Sequence, residues 1–222
     1  MLLAAGEGRR LRPLTLTTPK PLVQVGGTSL IRRHIAQLVA AGVTELVVNL
    51  HHLGEEIRSQ LGNGEALGVS IQYSEEPELL ETGGGIQAAL PLLADDEFLV
   101  VAADVFADVD YDALMKPLAT NALARLLLVD NPDHHPTGDF WMSATCAVEV
   151  EQSVGARRLT YAGICLMHRA LIERGPPGAF PLRDLLFPAV AAGEIDALYH
   201  DGIWSDVGTP ERLAALQQQY GD

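Results

Sequence analysis

With only two cysteines, Cys146 and Cys165, the chain cannot build a disulfide framework, and the two lack the paired spacing of a zinc site. They read as ordinary buried thiols. Long hydrophobic runs are missing as well: Phe98 to Ala103 and Leu126 to Val129 fall far short of the ~20 residues a membrane helix needs. No basic residue precedes the apolar start Met1-Leu2-Leu3-Ala4-Ala5, which runs straight into glycine, so no secretory signal is readable and the cytoplasm is the expected location. Cations are scarce: 15 Lys and Arg face 29 Asp and Glu, a net charge of −14. Such a surface repels nucleic acid and anionic lipid, so neither is expected as a partner. What is present, 48% hydrophobic and 20% charged residues over 222 positions, describes an ordinary soluble globular domain.

Buried-strand runs alternate with segments of helical period through the first half, the pattern of an α/β fold with a mostly parallel sheet flanked by helices. Leu2 to Ala5 reads as a first strand. Leu30, Ile31, His34, Ile35, Leu38 and Val39 recur at helical spacing, with Gly42 as the C-terminal stop. A strand over 46–50, a short helix over 55–61 and a strand over 69–73 follow. Glycines 83–85 are expected to open a helix over 86–93, and Phe98 to Ala103 to form a central strand ending on Asp104. Beyond Asp104 the strands expected over 124–129, 140–150 and 159–167 have little helix between them and suggest a small β-rich lobe. A helical region over 171–192, interrupted at 175–178, a strand over 195–199 and a last helix complete the chain. Thr209 is a good N-cap for that helix, with Pro210 at its first position.

The strongest chemical signal is Leu3-Ala4-Ala5-Gly6-Glu7-Gly8-Arg9-Arg10-Leu11-Arg12-Pro13, followed by Pro19-Lys20-Pro21-Leu22. A strand ending in glycines brings backbone N–H groups close to an anion, and Arg10 and Lys20 add positive charge for phosphate oxygens. The loop is not a Walker A motif, because no Gly-Lys-Ser/Thr follows, nor a dinucleotide fingerprint, because Leu11 stands where the third glycine belongs. Four cations within a dozen positions of an acidic chain call for a bound anion. Neighbouring histidines at 51–52 and 134–135 point to opposite faces of an extended chain and are not read as zinc ligands.

These motifs resemble those of the sugar-1-phosphate nucleotidylyltransferases, most closely the N-acetylmuramate-1-phosphate uridylyltransferase branch. The resemblance spans the whole chain, through Pro13-Leu14-Thr15, Leu80-Glu81-Thr82-Gly83-Gly84-Gly85, Val129-Asp130-Asn131-Pro132, Gly138-Asp139-Phe140 and Trp204-Ser205-Asp206-Val207-Gly208-Thr209. It implies a Rossmann-like nucleotidyltransferase domain over 1–222, with a nucleotide-binding part over about 1–107, a sugar-binding lobe over about 108–170 and a C-terminal part over about 171–222. Lys20 and Arg10 take the catalytic roles in that comparison. Leu3, Ala4, Ala5, Gly6, Gly8, Glu81 and Gly83 take the nucleotide, and Gly138, Asp139 and Gly163 the sugar. Asp104 and Asp206 take Mg²⁺, which suits an ion that prefers one or two carboxylates plus phosphate oxygens. Either acid could instead cap a turn. The implied substrates are UTP and a sugar 1-phosphate, N-acetylmuramate 1-phosphate first and glucose or mannose 1-phosphate as alternatives; the acidic single-domain chain is expected to be a monomer or small homo-oligomer. A non-catalytic nucleotide-sugar-binding protein of the same fold is the rival from another class.

Departures from the family pattern carry expectations of their own. The chain begins inside its first strand, which is therefore expected to be short. Ala103 replaces the usual glycine before the metal aspartate, and its methyl must be accommodated. The Glu-Lys pair of the thymidylyl branch is not evident around Val148 to Leu159, and no hexapeptide-repeat acyltransferase domain is expected beyond Asp222. Muramate carries a lactyl carboxylate, for which Arg157 or Arg158 is the candidate partner.

Overall fold

A computed structural model describes residues 1–149 and 151–221. The chain divides into two compact units: Met1–Leu79, Val101–Asp108 and Ile203–Asp222 form the first, Leu80–Val100 and Val109–Gly202 the second. Strand β1 (Leu2–Leu3) is short, as expected, and gives way to single 3-10 turns at Arg9–Leu11, Leu14–Leu16 and Lys20–Leu22. A small hairpin, β2 (Gln24–Val25) and β3 (Thr28–Ser29), leads into helix α1 (Leu30–Ala40). The side chains that α1 buries, Leu30, Ile31, His34, Ile35 and Leu38, are five of the six at helical spacing in the sequence, Val39 being half-buried. Gly42 adopts φ 84° just past its end, and the Val43 N–H returns to the Leu38 carbonyl at 2.9 Å. Then come β4 (Glu45–Leu50), α2 (Gly54–Leu61) and β5 (Ser70–Glu75).

Next is α3 (Glu81–Ala89), followed by β6 (Glu97–Ala102) and β7 (Val105–Ala107). One expectation needs correction here: glycines 83–85 lie inside the first turns of α3 rather than before it. The apolar run that ends at Asp104 forms β6 as expected, and β7 follows after a turn at Ala103 and Asp104. The second unit continues with α4 (Tyr111–Leu114), β8 (Ala124–Val129), β9 (Phe140–Met142), β10 (Val148–Glu149) and β11 (Arg157–His168). The single strand expected over 140–150 is thus a pair, broken by a turn in which Cys146 takes φ 62°, and its last residue, Val150, lies outside the described residues. Helices α5 (Arg169–Ile172) and α6 (Arg183–Ala191) flank the glycine-proline interruption, and β12 (Ile195–Tyr199), β13 (Trp204–Asp206) and α7 (Pro210–Tyr220) follow.

In the first unit β4 lies between β1 and β5, and Val101 and Ala102 of β6 take the other side of β1, with every pairing parallel. The carboxyl ends of such strands are where open α/β sheets bind ligands. Beside this sheet β7 and β13 form an antiparallel ribbon with Val105 opposite Asp206. A core of Leu11, Val23, Val25, Leu30, Phe106, Val207, Leu213 and Leu216 joins the loop after β1, the hairpin, α1, the ribbon and α7. The second unit is the β-rich part: β8 pairs antiparallel with β11 and parallel with β12, and β9 joins β11 to β10.

Candidate active site

The loop after β1 is built by local sequence and by two buried polar residues far along the chain. The Leu3 carbonyl accepts the Ala103 N–H at 3.1 Å, and the Ala4 N–H donates to Asn49 Oδ1 at 2.7 Å. Asn49 in turn donates to the Glu76 carboxylate at 2.6 Å, both side chains being buried. Ala4 is therefore seated by a hydrogen-bonded network, since buried polar groups without partners are costly. Ala5 is buried and Gly6 exposed, with open space where a Cβ would project. Gly8 is constrained: at φ 60°, a Cβ there would lie 2.8 Å from Thr15 Cγ2 and 3.3 Å from Lys20 Cβ. The buried Thr15 hydroxyl donates to the Gly8 carbonyl at 2.9 Å, so the loop folds tightly around the lysine stem. Glu7 binds Arg9 and lies 3.6 Å from Arg12, and the Arg9 guanidinium holds its carboxyl below the usual range. Arg10 stays exposed at the mouth of the loop.

Lys20, buried, places Nζ 2.5 Å from Asp104 Oδ2, on an aspartate whose side chain keeps 39% of its exposure. Asp206 ends β13 directly across from Val105, the neighbour of Asp104, so the two acids stand at one end of the ribbon. Its carboxylate binds Arg212 in the first turn of α7, whose start is fixed by Thr209 accepting the Arg212 N–H at 3.4 Å. Each acid thus has a protein cation of its own. Ala103 is fully buried, so its methyl is absorbed by the interior.

Four contributors to this site were not picked out from the sequence. Arg212 and the Asn49–Glu76 pair are described above. His34, fully buried on α1, puts Nε2 3.0 Å from the Val105 carbonyl, and burial pushes its pKa down to about 4, so it is a neutral donor at pH 7. The only sequence signal for His34 is a polar residue within an apolar stripe. Histidines 51 and 52 are tied to backbone carbonyls of Glu76 and Thr15 at 2.8 and 2.9 Å.

The second unit treats its residues differently. Glu81 is exposed at φ 57° and opens α3. Gly83 donates its N–H to the Phe180 carbonyl at 2.9 Å, shared with Gly84 at 3.1 Å. That N–H is therefore already committed, and the glycine is required because a Cβ would meet the Phe180 ring at 2.3 Å. Gly138 adopts φ 60° against the Asn131 side chain. The Asp139 carboxylate accepts the Tyr161 N–H at 2.8 Å and faces His135 at 3.0 Å, while Gly163, at φ 77°, lies where the β11–β8 register shifts. Arg157 is bound to Asp130 at 2.6 Å and stacked on Tyr199, whereas Arg158 lies over Trp141 at 5.7 Å.

Comparison with known proteins follows the same outline. Residues 1–140 match the family model for nucleotidyl transferase. The chain is 42% identical over its full length to N-acetylmuramate alpha-1-phosphate uridylyltransferase of Neisseria meningitidis serogroup B, covering 97% of that protein. It is 34% identical, again over its full length, to the enzyme of the same name from Caulobacter vibrioides, covering 96% of it. A mannose-1-phosphate guanyltransferase of Gibberella zeae is 30% identical over 95% of this chain, which spans only 61% of that protein. Among solved structures, HddC from Yersinia pseudotuberculosis superimposes with a TM-score of 0.81 at 22% identity, covering 99% of this chain and 97% of that one, a likeness of fold.

Proposed function

The chain belongs to the nucleotidyl transferase family as a sugar-1-phosphate nucleotidyltransferase, and from that premise we propose that it joins UTP to N-acetylmuramate 1-phosphate, making UDP-N-acetylmuramate and pyrophosphate. One observation carries this choice of substrates. Two relatives with that activity match from end to end at 42% and 34%, whereas the mannose-1-phosphate relative matches at 30% and is much longer. We assign the reaction to peptidoglycan sugar recycling in the cytoplasm.

A phosphate oxygen of the sugar attacks the α-phosphorus of UTP in line, forming one P–O bond as the bond to pyrophosphate breaks. The attacking phosphate is already ionised at neutral pH, so the protein need not supply a base. Its task is to bring two anions together, which is a matter of positioning and fixed charge. Lys20 serves at the reacting phosphates, because its ammonium is held in place by Asp104 and its stem by Gly8 and Thr15. Arg10, exposed at the loop mouth, takes the departing pyrophosphate. Gly6 leaves room for a phosphate to approach the backbone.

Asp104 and Asp206 would hold Mg²⁺. Two carboxylates at one ribbon end, each balanced by a protein cation, fit an octahedral ion that takes its remaining ligands from phosphates and water. Bound there, the ion would supply Lewis-acid stabilisation of the charge on the phosphates. Arg158 is assigned to the lactyl carboxylate, since Asp130 and Tyr199 occupy Arg157.

A pyrophosphate-release screen tests the proposal, with four nucleoside triphosphates against muramate, N-acetylglucosamine, glucose and mannose 1-phosphates. UTP with N-acetylmuramate 1-phosphate is expected to give the highest kcat/KM. A higher value for GTP with mannose 1-phosphate, or no release with any pair, overturns it.

A further inference from the structure

The transferase reading requires Asp104 and Asp206 to stand at a fixed spacing, and the element that carries them is small. Strand β7 has three residues and, among the described residues, pairs only with β13, so no described strand neighbours its other edge. Helix α1 meets that edge instead. His34 Nε2 donates to the Val105 carbonyl at 3.0 Å, and Gln37 Nε2 donates to the Ala107 carbonyl at 2.9 Å. The match is one of periods: carbonyls two residues apart on a strand project the same way, and side chains three apart lie on one face of a helix. Between them the Arg33 guanidinium lies 4.4 Å from the Phe106 ring, completing a contact along the whole of β7.

Val105 is the hinge point of this arrangement. It follows Asp104 in the chain and stands opposite Asp206 across the ribbon, so a bond to its carbonyl holds the residue that separates the two acids. Packing alone does not ask for a histidine here. Position 34 is fully buried in a stripe of Leu30, Ile31, Ile35 and Leu38, where an aliphatic side chain would satisfy the helix but orphan the carbonyl.

We propose that His34 and Gln37 are positioning residues for the carboxylate pair, α1 standing in for a missing strand and fixing the separation of Asp104 and Asp206. This rests on the transferase reading, since it concerns the metal which that reading places on the two acids. Residues that orient ligand-bearing groups typically change metal affinity 10- to 100-fold when removed. His34→Leu removes the donor, while His34→Gln keeps an N–H at comparable reach.

The test compares full-length wild type, His34→Leu, His34→Gln, Gln37→Leu and Leu38→Ala, the last as a core change on the same helix that makes no bond to β7. The first readout is the rise in unfolding midpoint on adding Mn²⁺ to protein already saturated with UTP; the second is the Mg²⁺ concentration for half-maximal pyrophosphate release. His34→Leu should need about 10-fold more Mg²⁺ and lose about 3–5 °C of the Mn²⁺-dependent rise. His34→Gln should recover most of both. Leu38→Ala should melt earlier without ligands, yet keep a wild-type metal response. Should His34→Leu fail to fold, Gln37→Leu carries the same prediction at smaller size. A wild-type metal response in both Leu variants, with wild-type turnover intact, overturns the positioning role alone. Absence of turnover in the wild type overturns the transferase reading, and the positioning role with it.

Discussion

Removal of the Lys20 charge separates catalysis from folding most cleanly. In Lys20→Ala the protein loses an ammonium 2.5 Å from Asp104 and a buried stem lying against Gly8 and Thr15. The lost ion pair weighs little on stability, about 1 kcal/mol, because Asp104 is open enough to be rehydrated. Loss of three buried methylenes costs a further ~2 kcal/mol at about 0.8 kcal/mol each. A total of about 3 kcal/mol is a drop of roughly 6–12 °C in midpoint for a chain of this size. Against a typical stability of about 5–15 kcal/mol, the variant remains almost wholly folded at 25 °C. Its kcat should nevertheless fall about 10²–10³-fold, the usual loss for one preorganised electrostatic contact, and unfolding cannot account for such a loss. Lys20→Met sharpens the comparison, keeping the apolar stem but not the charge. It should melt within a few degrees of wild type and still show the full loss. The assay is steady-state pyrophosphate release with parallel thermal melts. A Lys20→Met enzyme within fivefold of wild-type kcat would refute the role given to the ammonium.

The glycines separate by function. Gly8→Ala forces φ 60° on a residue with a Cβ and drives that atom to 2.8 Å from Thr15, so it should lose about 1–3 kcal/mol of stability, checked by denaturant titration. Gly6→Ala meets open space and should fold like wild type but raise KM for the triphosphate; an unchanged KM would remove Gly6 from the phosphate site. Gly83→Ala places a methyl 2.3 Å from the Phe180 ring and should destabilise by about 1–3 kcal/mol through overpacking; a KM effect at wild-type stability would contradict that account. The buried Cys165 thiol is pushed up to about 11 by desolvation. Below pH 9 it is protonated in both states and its contribution is complete. As pH rises from 9 towards 11 the unfolded chain releases its proton first, and stability is lost at about 1.4 kcal/mol per pH unit. Denaturation at pH 8 and 10.5 should therefore show the gap between wild type and Cys165→Ala narrowing by about 2 kcal/mol; parallel curves would refute the shift.

The elements legible in the sequence are those whose local period and burial agree. Helix α1 and strand β4 bury the residues that spacing selects, and α7 begins at Thr209 and Pro210 as its capping signals require. The misread elements are those whose residue types were chosen by distant packing. Three glycines in a row look like a loop, yet Gly83 and Gly84 sit inside α3 because the Phe180 ring and the Gly178 carbonyl come within 2.3 Å of where their Cβ atoms would be. Nothing in the adjacent sequence announces that neighbour. The break between β9 and β10 is equally silent, since the left-handed residue in its turn is Cys146 rather than glycine or asparagine.

The site shows the same division, and its hidden half explains how an acidic chain tolerates it. Arg10 stands out as a cation within the glycine loop and Asp104 as an acid closing an apolar run, while Lys20 and Asp206 stand out through the Pro-Lys-Pro and Trp-Ser-Asp motifs of the family pattern. Their partners are hidden by regular pattern: His34 falls on the core stripe of α1, and Arg212 looks like any first-turn residue of a helix. Yet those partners set the electrostatics. Lys20 neutralises Asp104 and Arg212 neutralises Asp206, so the pair of acids adds little local repulsion in a chain of net charge −14, and on the proposed function the exposed Arg10 would attract the triphosphate. In the proposed reaction Asp104 and Asp206 would hold the divalent cation, and Lys20 would face phosphate. Little backbone need move for this, because the acids are already fixed by the β7–β13 register and by the His34 hydrogen bond. On the proposed mechanism, preorganisation of this kind would let fixed charge act at full strength on a phosphoryl centre, and the neutral hydrogen bonds beneath the carboxylates would then matter to the reaction as much as the charges above them.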